Sequence, residues 1–387
     1  MTHNGTEALW KGPFILTMLG MLFLFIPFSL YMPVMPVYLI EELHSSMQIA
    51  GAINGIFLLA VVLFRAQTAR LEARFGIRRV LLVSGFMFMA TNALYIPAES
   101  IISIMLIRFL SGACFAVVNT SITALGSRLV PRARMGEGLA YLTTTVLAGG
   151  AIGPFIGLNL SYTYGYTAVF IFSVFSTLLG LLIVAAIPVQ EENCSVHLQF
   201  SFHELFEVKA IPVSLIVFLL AIAYGGVITF VAVYAAEQHL TLVAEYFFVV
   251  MASASVISRL VTGRMFDRFG ANAAIYLAIF LLAGGLLMLG TLHTVASMLT
   301  AAALIGIGYG IAVPSILTLA VQLSPKNRSS AVTATFFSCL DGGIGLGAYL
   351  LGGGIHAFGY AAVYQALGGL TVCCVVPYFI LYGRKQS

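Results

Sequence analysis

Twelve apolar stretches of about 20 residues divide this chain, and a backbone surrounded by lipid must satisfy its hydrogen bonds within each stretch. Only a helix does that in one crossing segment. The spans run 13–38, 47–69, 78–97, 100–126, 138–160, 167–187, 211–235, 245–265, 272–292, 295–321, 330–353 and 361–383. The expected fold class is therefore all-α integral membrane, with twelve transmembrane helices. Composition agrees: 60% of residues are apolar and 8% charged, where a soluble domain carries about a quarter charged. Cys114, Cys339, Cys373 and Cys374 lie in apolar runs and Cys194 in the central loop. They lack paired spacing or neighbouring ligands, so they read as small reduced residues, and no metal site or cofactor is expected.

The longest polar interruption runs from Pro188 to Lys209 and holds Glu191, Glu192, Ser201, His203, Glu204 and Glu207. It reads as a cytoplasmic linker with a short amphipathic helix, between an N-terminal half (1–187) and a C-terminal half (210–387). Placing the N-terminus in the cytoplasm puts Lys11, Arg70, Arg74, Arg78, Arg79, Arg128, Arg132, Arg134 and Lys209 on that side. Arg264, Arg268, Lys326, Arg328, Arg384 and Lys385 join them. Arg65 and Arg259 fall one to two turns inside the same ends of their spans. The six opposite loops then hold no Lys or Arg, the asymmetry that orients membrane helices. Both termini are expected in the cytoplasm of a multi-pass plasma-membrane protein, and the short loops suggest a bacterial inner membrane. Lys11 precedes an apolar run too long for a signal peptide, so the first helix is expected to remain.

Sliding the chain by 194 residues aligns its halves without a gap. The segment from Leu63, LFRAQTARLEARFG, falls on the segment from Ile257, ISRLVTGRMFDRFG. The same offset pairs Gly112 with Gly306, Ser121 with Ser315, Pro131 with Pro325, Gly149 with Gly343 and Gly153 with Gly347. GYTAVF from Gly165 falls on GYAAVY from Gly359. The chain is six helices, duplicated.

Gly263-Arg264-Met265-Phe266-Asp267-Arg268-Phe269-Gly270 resembles the loop motif of the major facilitator superfamily, and Ala69 to Gly76 is a degenerate copy. Arg108 and Gly112 in the fourth span are similar to that superfamily's Arg-x-x-x-Gly pattern. Gly149, Gly153, Pro154 and Gly157 in the fifth resemble the Gly-Pro motif of its drug:proton antiporters. The resemblance implies two six-helix bundles around a central cavity, lined by helices 1, 4, 7 and 10, with access alternating between sides. It also implies gating roles for Arg70, Arg74, Gly263, Asp267 and Arg268. Anchoring at the cytoplasmic rim, where arginines snorkel, accounts for these cations equally well. In the first copy the acidic position is Ala73, with Glu72 one place earlier. The four-residue glycine spacing also admits two readings, tight helix packing or a hinge at Pro154. Pro27, Pro33 and Pro36 are expected to kink the outer half of the first helix.

Two charges break the repeat. Arg108 pairs with Ala302 and Asp341 with Leu147. Duplication does not require them, and each costs about 2.5–3.5 kcal/mol at a helix centre. Asp341 is expected to take and release a proton or hold a cationic substrate, with protons as the coupling ion. Arg108 resembles the family's proton-relay arginine. Asn119 shares the Arg108 face, three turns on. Asn54, Tyr31, Tyr224 and Tyr309 complete the expected substrate-binding set, a lining suited to an amphipathic small molecule. Three readings follow: a proton-coupled exporter of drugs or amphipathic molecules, a dedicated exporter of one amino acid, sugar or metallophore, and a non-transporting receptor. His44, His239, His293 and His356 scatter singly, and no nucleophile–base cluster supports an enzyme. A monomer in contact with lipid, without nucleic acid, is the expected assembly.

Overall fold

In the computed structural model, residues 9–131, 134–188, 207–292, 294–324 and 328–383 are described. The expected amphipathic helix of the linker lies outside them. The first half forms α1 (Gly12–Glu41), α2 (Met47–Phe75), α3 (Ile77–Ala93), α4 (Ile101–Leu129), α5 (Met135–Tyr164) and α6 (Tyr166–Ala185). A 3-10 turn at Val208–Ala210 leads into α7 (Ile211–Glu237). Thr241–Leu289 is hydrogen-bonded throughout but breaks at Gly270, giving α8 (241–269) and α9 (271–289). After α10 (Val295–Gln322), Ser329–Cys373 breaks in the same way at Gly359. The pieces are α11 (329–358) and α12 (360–381), whose last part is Val375–Leu381. Twelve helices thus occur among the described residues, and no strand does.

The repeat extends to the turns. Gly76 (φ +81°) and Gly165 (φ +81°) end α2 and α5, and Gly270 (φ +79°) and Gly359 (φ +78°) separate α8 from α9 and α11 from α12. These are two pairs 194 residues apart. With ψ between 145° and 173°, a side chain at this positive φ would cost about 1–3 kcal/mol, so glycine occupies all four.

Within each half, equivalent helices meet in equivalent ways. The α4 backbone at Gly112 lies against the Phe57 carbonyl of α2, and Gly306 of α10 lies against the Met251 carbonyl of α8. The pairs 112/306 and 57/251 are both repeat partners. α5 packs on α1, where Ser29 Oγ donates to the Gly149 carbonyl at 2.7 Å. α11 packs on α7, with Gly347 against Ile222. α1 continues through Pro27, Pro33 and Pro36 as one helix with all three buried. Burying the prolines against neighbours is how lipid-embedded helices tolerate them.

Among the described residues the bundles meet chiefly where α2 packs on α11, α5 on α8 and α1 on α7. The first two are equivalent under the repeat. Gly51 meets the Ala348 carbonyl, Gly55 meets Gly345, and Gly352 meets Met47 and Gln48. All lie between mid-depth and the end that carries no Lys or Arg, here called the far end. That end is the closed one. Tyr360 Oη reaches Met47 Sδ across it at 3.5 Å, and Phe155 meets Tyr246 with ring centroids 5.7 Å apart.

The α1–α5 contact predicts a contrast between neighbouring glycines. A Cβ on Gly153 would sit 2.8 Å from the Ile26 carbonyl oxygen and 2.9 Å from the Leu30 nitrogen, whereas one on Gly150 meets nothing within 4 Å. Gly153→Val should therefore cost about 1–3 kcal/mol from overpacking and lower the thermal unfolding midpoint in detergent. Gly150→Val should leave it near the parent value. Equal losses in both would show that the α1 contact does not set the cost.

Candidate functional site

Asp341 lies near the middle of α11, where its carboxylate forms an ion pair with the Arg65 guanidinium of α2. Both side chains keep partial exposure, so the pair borders the space between the bundles. The Phe337 ring lies 5.8 Å from the same guanidinium. Arg65 was expected near the rim because hydropathy ends the second span at 69. The helix runs to Phe75, which carries Arg65 almost three turns inside. Its repeat partner Arg259 lies at the same depth because α8 runs to 269.

Opposite the ion pair, Tyr224 of α7 and Tyr309 of α10 stack face to face, with centroids 3.8 Å apart and planes 4° from parallel. Tyr309 lies within electrostatic range of Asp341 and of Arg259, and Arg259 also faces Tyr224. Tyr309 Oη and Arg259 Nε are buried without a hydrogen-bond partner among the described residues. The repeat explains the second of these. Where Arg65 on α2 meets Asp341 on α11, the equivalent seam sets Arg259 on α8 against α5, whose corresponding residue is Leu147. Of two equivalent arginines, the chain supplies a carboxylate to one.

Arg108 does not meet Asp341. It lies two turns from the far end of α4, fully buried, and its Nη2 donates to Asn54 Oδ1 at 2.7 Å. Asn54 Nδ2 donates to the Met32 carbonyl at 2.7 Å and to Thr229 Oγ1 of α7 at 3.3 Å. The guanidinium sits 4.6 Å from the Phe57 ring centroid and 5.5 Å from that of Tyr31, positions that favour cation–π attraction. The buried Tyr95 hydroxyl lies beside the guanidinium and the Ser111 hydroxyl, which brings both into the same cluster. Tyr31 shares a hydrogen bond with Ser173 of α6 at 2.5 Å. Asn54 and Tyr31 are thus engaged within this polar knot, and through Thr229 it ties the N-terminal bundle to α7. Asn119 is three turns away on α4, half-buried, and its backbone carbonyl accepts from Thr123 Oγ1 at 2.7 Å.

The remaining expected residues fall elsewhere. Arg70 Nη1 donates to Gln67 at 3.0 Å, Arg74 covers the Phe75 ring and Arg268 is exposed. Gly263 and Asp267 lie on α8, where only the backbone at these positions is described. Ser121 Oγ donates to Glu72 Oε1 at 2.6 Å, so the acid of the first motif copy turns into its own bundle. Gly149, Gly153 and Gly157 face α1, and Pro154 lies on α5 among them. Sequence reasoning missed the pairing of Arg65, the depth of Arg259, and Thr229. It also missed Glu207, which is paired with Arg328 at 2.9 Å and receives no other ion pair among the described residues. The Glu207 backbone N–H donates to Thr335 Oγ1 at 2.9 Å, pinning the end of the linker to α11.

Comparison with known proteins agrees with this architecture. The profile of the Major Facilitator Superfamily matches residues 17–348. The multi-drug resistance efflux pump PmrA of Streptococcus pneumoniae is 25% identical over 387 residues, covering 96% of this chain and 95% of the pump. The multidrug resistance protein MdtG of Escherichia fergusonii is 26% identical over 391 residues, covering 96% and 94%. Among solved structures, the nucleoside transporter NupG superposes with a TM-score of 0.75 at 12% identity, covering 96% of this chain and 99% of that one. The twelve helices, their duplication and the profile match together make this chain a membrane transporter, not an enzyme, that belongs to the Major Facilitator Superfamily.

Proposed function

We propose that this protein is a proton-coupled exporter of amphipathic small molecules that works by alternating access, with Asp341 as its proton site. The observation that carries the reading is the Arg65–Asp341 pair, a partly exposed ion pair that joins the two bundles at mid-depth. Removing Arg65 from a desolvated carboxylate leaves an uncompensated charge, which takes up a proton rather than persist. Separation of α2 from α11 and protonation of Asp341 are then one event. The relatives PmrA and MdtG, named for multidrug efflux and multidrug resistance, support export as the direction.

In this scheme the protein is a monomer in a bacterial inner membrane, with both termini cytoplasmic and no cofactor besides protons. The closed far end is its periplasmic side. Opening that side requires the Gly51–Ala348 and Asn54–Thr229 contacts to part. Arg108 acts as a brace that orients Asn54 for that contact. The stacked Tyr224 and Tyr309 give the substrate an apolar platform beside the proton site.

Two measurements test the reading. Substrate addition to the purified, unbuffered protein should release protons, and Asp341→Asn should abolish the release and reduce proton-driven transport in everted vesicles at least tenfold. Full transport by Asp341→Asn would remove Asp341 from the mechanism. Second, Arg65→Asp and Asp341→Arg should each destabilise the protein by about 1.5–3 kcal/mol, as loss of a charged hydrogen bond does. The double exchange should recover at least half of that in thermal unfolding while remaining inactive. A double variant no more stable than the worse single one would show that the pair does not hold the bundles together.

A further inference from the structure

Resting on the exporter reading above, we infer that the solute is zwitterionic, with an ammonium taken by Asp341, a carboxylate taken by Arg259 and an apolar body laid on Tyr224 and Tyr309. Four charged side chains lie deep within the described helices: Arg65, Arg108, Arg259 and Asp341. Arg108 is fully buried toward the far end and hydrogen-bonded to Asn54. That leaves Arg259 and Asp341 beside the tyrosine pair, with Arg65 held by Asp341: two cations and one anion.

Each half of the solute answers a separate requirement. Exchange against protons needs a group that competes with the proton for Asp341, and only a cationic group does so. A simple cation, however, would displace Arg65 from Asp341 while Arg259 stays unmatched, concentrating three positive charges where one carboxylate is available. A simple anion would satisfy Arg259, but it would favour the proton on Asp341 and give no exchange. A zwitterion meets both conditions: its ammonium takes the place of the proton on Asp341 and its carboxylate offsets Arg259, so the site carries one positive charge less than with the proton bound.

The geometry favours Arg259 for the anionic end. Its repeat partner Arg65 holds a carboxylate, and Leu147 stands where Arg259 would find its own. Its Nε is buried without a hydrogen bond, while the side chain as a whole keeps partial exposure. The planar guanidinium offers two parallel N–H donors, the arrangement a carboxylate accepts. Tyr309 lies within electrostatic range of both Asp341 and Arg259, so both ends of one small solute fall beside the same ring. Tyr224 and Tyr309 are each partly exposed, leaving aromatic surface for its apolar body.

A matched set of probes tests this: 3-(2-naphthyl)alanine, its methyl ester, which keeps only the ammonium, and 3-(2-naphthyl)propionate, which keeps only the carboxylate. Calorimetric binding to the purified protein should favour the zwitterion at least tenfold over either partner. Arg259→Gln should abolish the preference, lowering zwitterion affinity and raising ester affinity as a repelling charge is lost, and Arg259→Lys should retain part of the preference. A preference for the ester, a zwitterion preference that survives Arg259→Gln, or no binding of any probe overturns the inference. Proton release is read in the same experiments. Release by the ester with no zwitterion preference sinks the inference and leaves the exporter reading standing, whereas binding of zwitterion and ester without proton release sinks the exporter reading itself.

Discussion

A charge at mid-membrane is stable only while something compensates it, and the Arg65–Asp341 pair is where this chain meets that condition between its two bundles. Each partner alone is a desolvated ion whose insertion costs about 2.5–3.5 kcal/mol. Together they bind α2 to α11, so the charge proposed as the proton site also holds these two helices together. A rocking motion that parts these helices must resolve the charge in the same step. The close glycine contacts from Gly51–Ala348 to Gly55–Gly345 bring the two backbones near enough for the side chains to meet. Larger residues there would hold the helices apart and leave both ions unpaired.

Most of the fold was legible because lipid restricts the backbone to so few solutions. Twelve spans and the duplicated halves follow from hydropathy and a fixed offset, and the four turn glycines, Gly76, Gly165, Gly270 and Gly359, turn out to obey the same offset. The glycine pairs read from the repeat, 112/306 and 153/347, prove to be close helix contacts in both halves. The sequence also isolated Asp341 as a charge the repeat does not require.

What escaped the sequence has a common physical cause. Hydropathy ends a span where charges begin, yet the helix persists because long basic side chains snorkel while the backbone continues its ladder. The second span, expected to end at 69, therefore runs to Phe75, and the eighth runs to 269. Hydropathy put Arg65 and Arg259 one to two turns inside their helix ends, where the structure has them almost three turns in. The partner of Asp341 is 276 residues distant in sequence and lies in the other bundle, where no local pattern reaches. For Arg108, sequence gave depth but not neighbours: its bond to Asn54 and the link onward to Thr229 depend on how three helices cross.

The departures from symmetry matter as much as the symmetry itself. Two seams, α2 with α11 and α8 with α5, are equivalent by descent, and both keep an arginine at the same depth. Had both also kept the acid, each arginine would be neutralised internally, and no uncompensated charge would face a solute at this depth. Replacing one acid by Leu147 leaves Arg259 for an external partner while Asp341 and Arg65 hold the other seam. A proton or a cationic group at Asp341 then loosens one seam only, and an anionic group at Arg259 acts on the opposite one. A solute that bears both groups touches both seams at once, which is how binding at a single small site can bias the movement of two entire bundles.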